Sequence, residues 1–457
     1  MRFMKRNTMK FALLTAAILL AAPCMFAQHN NRSARDLQFQ FRNPGARSLG
    51  FGGAFIGLAD DATAPVANPA GMVRTSRRSA SLEFNYNRMD NRIPFQGGQI
   101  LQTDLFAFDF NFEESEAPED TFQVPYLAVV FPHDQIRYGF FVHQQANLER
   151  SYRTDPIAIC YLNAPFYPDC DVDNASLSYN PSTDILNLEI LNYGGSFAWS
   201  PNEKFSLGTS LFYSTLDYRA DSIVDFRTVV DVVAVERLAR GDDDSWGGIA
   251  GLLWQFAKEM SLGITYKYQP EFQYQATLRT GRPLPNVPPD FSTRANFKIP
   301  DSLGIGFSFT PLDPLTVNVD ANRVFYSQIT DDFLDFTQVQ VGQGQSRITQ
   351  TMPDVTEIHF GLEYIFTQTA NPVSLRVGYW LDPYHAATNN VEDSQLLEGN
   401  PNQPVVRDIF FLHEFEEDEN HYALGIGWTL GQAFQFDAAV EIADHSKNAT
   451  VSGIYRF

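Results

Sequence analysis

Single apolar residues alternate with single polar ones along most of this chain. In Leu303-Gly304-Ile305-Gly306-Phe307-Ser308-Phe309 the odd positions are apolar and the even ones are Gly or Ser. Leu315, Val317, Val319 and Ala321 alternate with Thr316, Asn318, Asp320 and Asn322. Tyr422, Leu424, Ile426, Trp428 and Leu430 alternate with Ala423, Gly425, Gly427 and Thr429. Phe106, Phe108, Phe110 and Phe112 face away from Ala107, Asp109 and Asn111, and the chain closes on the similar run Val451 to Phe457. A period of two puts neighbouring side chains on opposite faces, so each run predicts a β-strand with one apolar face. In a soluble sandwich that face turns to a core; in a membrane barrel it turns to lipid and the polar face lines the lumen.

The one continuous apolar run selects between these two. Phe11 to Ala22 follows Arg2, Lys5, Arg6 and Lys10 and ends at the small residue Ala27, before Gln28. It is too short to span a membrane and reads as a secretion signal over residues 1–27. Cys24 raises a lipoprotein alternative, but Pro23 stands where lipid attachment wants a small residue. A secreted chain of alternating strands points to the bacterial outer membrane, where a closed barrel satisfies every backbone N–H and C=O in lipid. The terminal Phe457 is then the expected mark read by the barrel-assembly machinery during insertion.

Short turns and long loops alternate as well. Ser206-Leu207-Gly208, Ser261-Leu262-Gly263 and Thr316-Val317-Asn318 recur every 55 residues, each after a short polar turn. Similar junctions stand at Thr367 to Pro372 and at Gly431-Gln432. Short turns on one side and long loops on the other are the outer-membrane pattern, with the short side periplasmic. Counting back from the C-terminus gives twelve strands from about Gln135. Three further segments, 80–88, 104–112 and 123–131, compete for two places. The expected fold is therefore all-β, an antiparallel transmembrane barrel of about fourteen strands over residues 79–457.

Composition narrows the chemistry. The 457 residues include 39 Phe, 19 Tyr and 5 Trp and carry a net charge of −21. Removing residues 1–27 takes away four positive charges and no negative ones, which makes it −25. So acidic a chain disfavours nucleic acid and suits loops among outer-membrane lipids and lipopolysaccharide, where divalent cations bridge anionic groups. A monomer without cofactor is expected. Cys160 and Cys170 lie ten residues apart in a loop-like stretch, and an oxidising periplasm favours a disulfide that pins that loop. In the segment 221–240, Phe226, Val229, Val230, Val233 and Arg237 repeat at helical spacing. They predict an amphipathic extracellular helix whose apolar face packs on other loops or forms a groove for a hydrophobic substrate. His413 to His421 is a histidine-flanked acidic run before a strand, read as a solvated loop that binds Ca²⁺ or Mg²⁺ loosely, with no defined metal site. No nucleophile sits in a recognisable catalytic turn, so the chain is not expected to be an enzyme.

Residues 28–78 do not read as wall strands. Small residues dominate Gly45 to Ala62, with Gly52, Gly53, Asp60 and Asp61, and Asn68-Pro69-Ala70 follows. Small residues suit close packing in a confined space, which predicts a plug inside the barrel. No Gly-Lys-Ser/Thr follows the glycines, so a phosphate loop is excluded. Together with Gly241 to Trp254, Leu262 to Tyr266, Pro300 to Gly306, Leu375 to Tyr379 and the closing Tyr455-Arg456-Phe457, this segment is similar to the FadL/TodX family of outer-membrane transporters for hydrophobic compounds. The resemblance covers most of the chain beyond residue 27. It implies a fourteen-stranded barrel, an N-terminal hatch that includes Asn68, Pro69 and Ala70, and passive uptake of long-chain fatty acids or aromatic hydrocarbons. Leu37 to Phe41 only loosely matches the family's N-terminal segment, which leaves the substrate open. A barrel assisting protein secretion or surface assembly, and an outer-membrane lipid hydrolase, remain as alternatives.

Overall fold

The computed structural model describes residues 42–457 except 105–106, 154, 156, 162–176, 180–182, 229–231, 281–289, 331–346, 386–387 and 393–417. Residues 1–27, expected to be a secretion signal, therefore lie outside the described residues. So does Cys170, and the Cys160–Cys170 pairing with it.

The period-two runs form a closed antiparallel barrel of fourteen wall strands. They are β1 (Ser79–Asp104), β2 (Ala107–His133), β3 (Ile136–Arg153), β4 (Thr183–Asn202), β5 (Phe205–Thr228), β6 (Val232–Ala257) and β7 (Met260–Tyr268). The wall continues with β8 (Ser302–Leu312), β9 (Leu315–Val324), β10 (Val355–Phe366), β11 (Val373–Asp382), β12 (Glu419–Leu430), β13 (Phe434–Ile442) and β14 (Ser446–Arg456). β14 closes on β1 from Ser79↔Arg456 to Met89↔Ser446, and the Phe457 N–H donates to the Arg78 carbonyl. Segments 80–88 and 123–131 are the wall parts of β1 and β2. Segment 104–112 belongs to the far end of the same long hairpin, where Gln102 pairs Phe108.

The barrel is apolar outside and polar within. Leu303, Ile305, Leu424, Ile426 and Val451 are exposed, as are many other large hydrophobic residues of the wall. Thr316, Asn318 and Asp320, which alternate with the outward residues of β9, are buried. Aromatic pairs cluster where strands meet the short turns: Tyr364 with Phe366, Phe434 with Tyr455, and Tyr455 with Phe457. Rings with an apolar body and a polar rim settle at a membrane–water boundary, which sets the periplasmic edge.

One expectation fails here. The 221–240 segment is no helix: β5 and β6 run through it as an antiparallel hairpin, with Phe226 opposite Val233 and Ser222 opposite Arg237. β-branched valines favour strands, and pairing with the neighbouring strand satisfies a backbone that a lone helix would have to satisfy by itself. Val229 and Val230 lie outside the described residues.

Along the inner face, polarity changes with height. In β4, below Asp184 at the rim, the buried residues are Leu186, Leu188 and Ile190 in the extracellular half, then Asn192, Ser196 and Ala198 nearer the periplasm. The upper residues join an apolar cluster with Tyr218, Phe272 and Phe297. The lower ones face residues 42–78.

Candidate functional site

Residues 42–78 lie inside the lower barrel and are held there by the polar face of the wall. The segment carries a short helix (Ala46–Gly50), a second (Ala64–Ala67) and a 3-10 turn (Pro69–Arg74). Between the first two, its carbonyls and amides bond to wall side chains. Asp320 accepts from the Phe55 and Ile56 amides at 2.7 and 2.8 Å, and the Asn318 amide donates to the Ala54 carbonyl. Ser261 donates to the Gly57 carbonyl and Ser206 to that of Ala70. The recurring strand starts that gave the chain its 55-residue period are thus the places where successive strands grip the segment.

The motif residues occupy these contacts. Asn68 accepts from the Ala70 amide and donates to the carbonyls of Ile56 and Leu252, while Pro69 opens the 3-10 turn, where no N–H is missed. Gly52 and Gly53 have φ of +63° and +82°, a region costly for other residues. A methyl group on the facing Gly378 would overlap the Gly52 nitrogen. Asp60 pairs with Arg47, and Asp61 accepts from both the amide and the hydroxyl of Thr63. Burial raises the Asp61 pKa, against the pull of Arg47. Burial also works against the Arg47 charge, but Asp60, Glu363 and Asp61 hold its pKa well above the usual value. Arg47 leads into a buried chain: Glu363 bonds Arg376 at 2.7 Å, and Arg376 bonds Asp437 at 2.7 Å. Sequence reasoning did not pick out Glu363, Arg376, Asp437 or Asp320. Their signal was a charge on the small-residue face of an alternating strand.

The second feature is a window in the wall. β1 pairs with β2, and β3 with β4, over nearly their whole lengths. β2 and β3 pair with each other only from His133↔Ile136 to Tyr126↔His143. Pro125 follows on β2 and brings no N–H to a ladder. On β3 the register slips between Gln144 and Ala146, an extra residue that bends the strand. Before this bulge Phe141 is buried and His143 lines the lumen; beyond it Ala146 and Leu148 pack against the upper apolar cluster. Two side chains cross the opening: Gln123 donates to the Asn147 carbonyl, and Glu119 accepts from the Glu149 amide. Above it, β1 residues Gly98 to Gln102 pair in parallel with the short strand Ile157–Tyr161. With eight pairs below it, the window stands roughly 20 Å above the periplasmic turn, still inside the hydrocarbon.

A cavity of about 140 Å³ lies behind the window, lined by Gln123, Pro125, Met89 and Leu148 on one side and by Arg42 and Asn43 on the other. A smaller one of about 30 Å³ shares Arg42, His143 and Gln145 with it and reaches Asn192, Lys267 and Gln269. Lys267 is buried, and its ammonium donates to Asn43 Oδ1 at 3.1 Å. Among the described residues no carboxylate lies within ion-pair distance of it.

A plugged fourteen-strand barrel with this geometry can be compared with known proteins. Residues 173–395 match the family model described as outer membrane protein transport protein (OMPP1/FadL/TodX). Over that stretch, just under half of the chain, the sequence is similar to FadL/TodX proteins. A Pseudomonas aeruginosa FadL homologue superposes with a TM-score of 0.63 at 16% identity, over 92% of this chain and 99% of that one. The Pseudomonas putida toluene transporter TodX gives 0.56 at 13%, and the monoaromatic hydrocarbon channel CymD 0.54 at 14%, with the same coverages. At these identities the structural likeness is one of fold. No curated protein matches in sequence. The matched segment and the fold together place this barrel in the bacterial outer membrane.

His421 overturns one sequence reading. It is not in a solvated loop but on β12, with none of its surface exposed. His413 to Glu417 lie outside the described residues.

Two outcomes are expected from this geometry. Asp320→Ala leaves two buried amides without an acceptor, at about 1–3 kcal/mol each. With the barrel still folded, limited proteolysis should cut residues 42–78 faster; unchanged cleavage would show that Asp320 does not anchor them. Deleting Gln145 removes the bulge and restores unbroken alternation along β3. Amide exchange at residues 146–149 should then slow by about tenfold or more, as newly paired strand amides do; exchange at the native rate would mean that the bulge does not hold the window open.

Proposed function

We propose that this barrel passes hydrophobic small molecules across the outer membrane by passive diffusion. In this reading residues 28–78 are the plug that blocks a straight path, and the window between β2 and β3 is a side exit into lipid. The observation that carries it is the unpaired stretch of β2 and β3 backing directly onto a cavity above the inner segment. A side exit suits an apolar cargo for a simple reason. Each CH₂ moved from an apolar site into water costs about 0.8 kcal/mol. Leaving through the wall into lipid avoids that cost for the whole chain of the molecule.

Between long-chain fatty acids and aromatic hydrocarbons, the lining favours the fatty acids. Gln144, Gln145, Asn192 and Gln269 surround Lys267 and Arg42 near the shared cavities. Arg42 is already paired with Glu441 at 2.7 Å, while Lys267 has a neutral amide partner. A carboxylate head beside Lys267, with its tail toward Leu148 and the upper apolar cluster, uses both kinds of surface. An aromatic hydrocarbon gains nothing from the ammonium. The family's description as transport proteins supports a non-enzymatic role.

The test is uptake by cells that lack a transporter of their own. Expressing this chain should speed entry of a labelled long-chain fatty acid. Lys267→Met should slow it about tenfold, the loss of one charge-assisted hydrogen bond of about 1.5 kcal/mol, and leave toluene entry unchanged. Equal losses for both compounds would remove the carboxylate role, and no entry of either would remove the transport reading.

A further inference from the structure

At the extracellular end of the barrel, β11 ends on Asp382 and β12 begins with Glu419 and His421. The donor atoms of these three side chains all lie within 4.8 Å of one another. Asp382 and His421 are more than nine-tenths buried and Glu419 is partly so. A polar cluster removed from water in this way needs either complete hydrogen bonding or a counter-charge.

It has neither in full. Asp382 Oδ1 is buried without a hydrogen-bond partner, and so are both ring nitrogens of His421. Carboxylate oxygens of Glu419 and Glu441 face those nitrogens at 3.4 Å, too far for good bonds. Charge is unbalanced as well. Asp382, Glu419 and Glu441 contribute three carboxylates, and among the described residues Arg42, on Glu441, is the permanent cation in contact with them. His385 Nδ1 stands 3.3 Å from Asp382 Oδ1. The surroundings hold the donors still. Trp380 stacks on the His421 ring at 3.8 Å and donates its N–H to Glu441, while Tyr326 stacks on His385 at 4.0 Å.

We infer that Asp382, Glu419 and His421 form a binding site for one divalent transition-metal cation of the Zn²⁺ class. One imidazole and two carboxylates are a mixed nitrogen and oxygen set that suits Zn²⁺ better than the oxygen-seeking Ca²⁺ or Mg²⁺. A dication there supplies the two positive charges that Arg42 leaves wanting. It also ties together the two strands that flank residues 383–418, so binding would brace the mouth of the barrel. Glu441 and His385 act as positioning residues, through His421 and Asp382 respectively.

The experiment uses the full chain, folded in detergent and freed of metal with a chelator. Zn²⁺ titrated by calorimetry should bind at one ion per chain and raise the unfolding temperature. His421→Gln and Asp382→Asn keep side-chain size, and each should weaken Zn²⁺ by about a hundredfold, with the thermal shift lost. Heat-modified mobility on a gel reports whether each variant is still a closed barrel. If one is not, Glu419→Gln, at the more open edge, carries the same expectation. His133→Ala, far away at a periplasmic turn, should bind as the native chain does. Three results would overturn the site: no stoichiometric Zn²⁺ binding, an affinity indifferent to these substitutions in folded variants, or Ca²⁺ bound more tightly than Zn²⁺. The first of these would mean that protons on His421 and His385 balance the carboxylates.

Discussion

A backbone N–H facing hydrocarbon has no water to bond, and leaving it unpaired costs several kcal/mol. That single constraint organises the molecule. It forces the alternating segments to pair into a ring, so that β1 must meet β14 and no edge remains. It also makes the interruption between β2 and β3 informative. Where β2 and β3 part, Pro125 has no N–H to satisfy, Glu119 covers the Glu149 amide, and Gln123 covers the Asn147 carbonyl. A gap in a membrane wall survives when side chains take over the work of the missing ladder. The extra residue at Gln145 then turns the upper part of β3 away from β2 without exposing its backbone to lipid.

Inside, the opposite problem arises. The polar lumen face would be wet in an open pore, but here it is buried against residues 42–78. Each inward donor or acceptor needs a partner on that segment, and the wall provides them in order around the ring: Ser206, Ser261, Asn318 and Asp320. Arg376, bonded to both Glu363 and Asp437, cannot be moved without leaving charge stranded, which is costly in a buried setting. Arg47 extends this chain onto the inner segment. Matched polar pairs thus specify position alongside the apolar packing of Phe51, Phe55 and Met72 with wall residues Val130 and Ala198.

The wall was legible from the sequence because a period of two survives any register and needs no long-range information. The number of strands followed from local pattern. The site did not, because its contacts join distant positions. Arg47 meets Glu363 across 316 residues of chain, and nothing near either one announces the other. The bulge at Gln145 was hidden as well, since one extra residue leaves no compositional trace. The 221–240 segment misled for a physical reason: Phe226, Val229, Val230 and Val233 stand at i, i+3, i+4 and i+7, but β-branched residues also suit strand faces, and pairing across the hairpin decided the matter. His421 misled because the acidity around it suggested water, whereas Trp380 and the barrel rim exclude it.

The seam between β1 and β14 bears on the order in which the protein is built. Residues 42–78 run directly into β1 at Ser79, and the strand that closes against β1 is made after all the other wall strands. Arg78, the residue just before β1, takes its hydrogen bond from the amide of the terminal Phe457. Once that seam is shut, a folded segment of thirty-odd residues can reach the lumen only through an end of the barrel. Lodging the inner segment against the growing sheet before the two ends meet avoids that passage, like cargo loaded before a hull is sealed. Errors in its seating would then be locked in by closure, which makes the grip of Asp320 and its neighbours a requirement of assembly as much as of the finished protein.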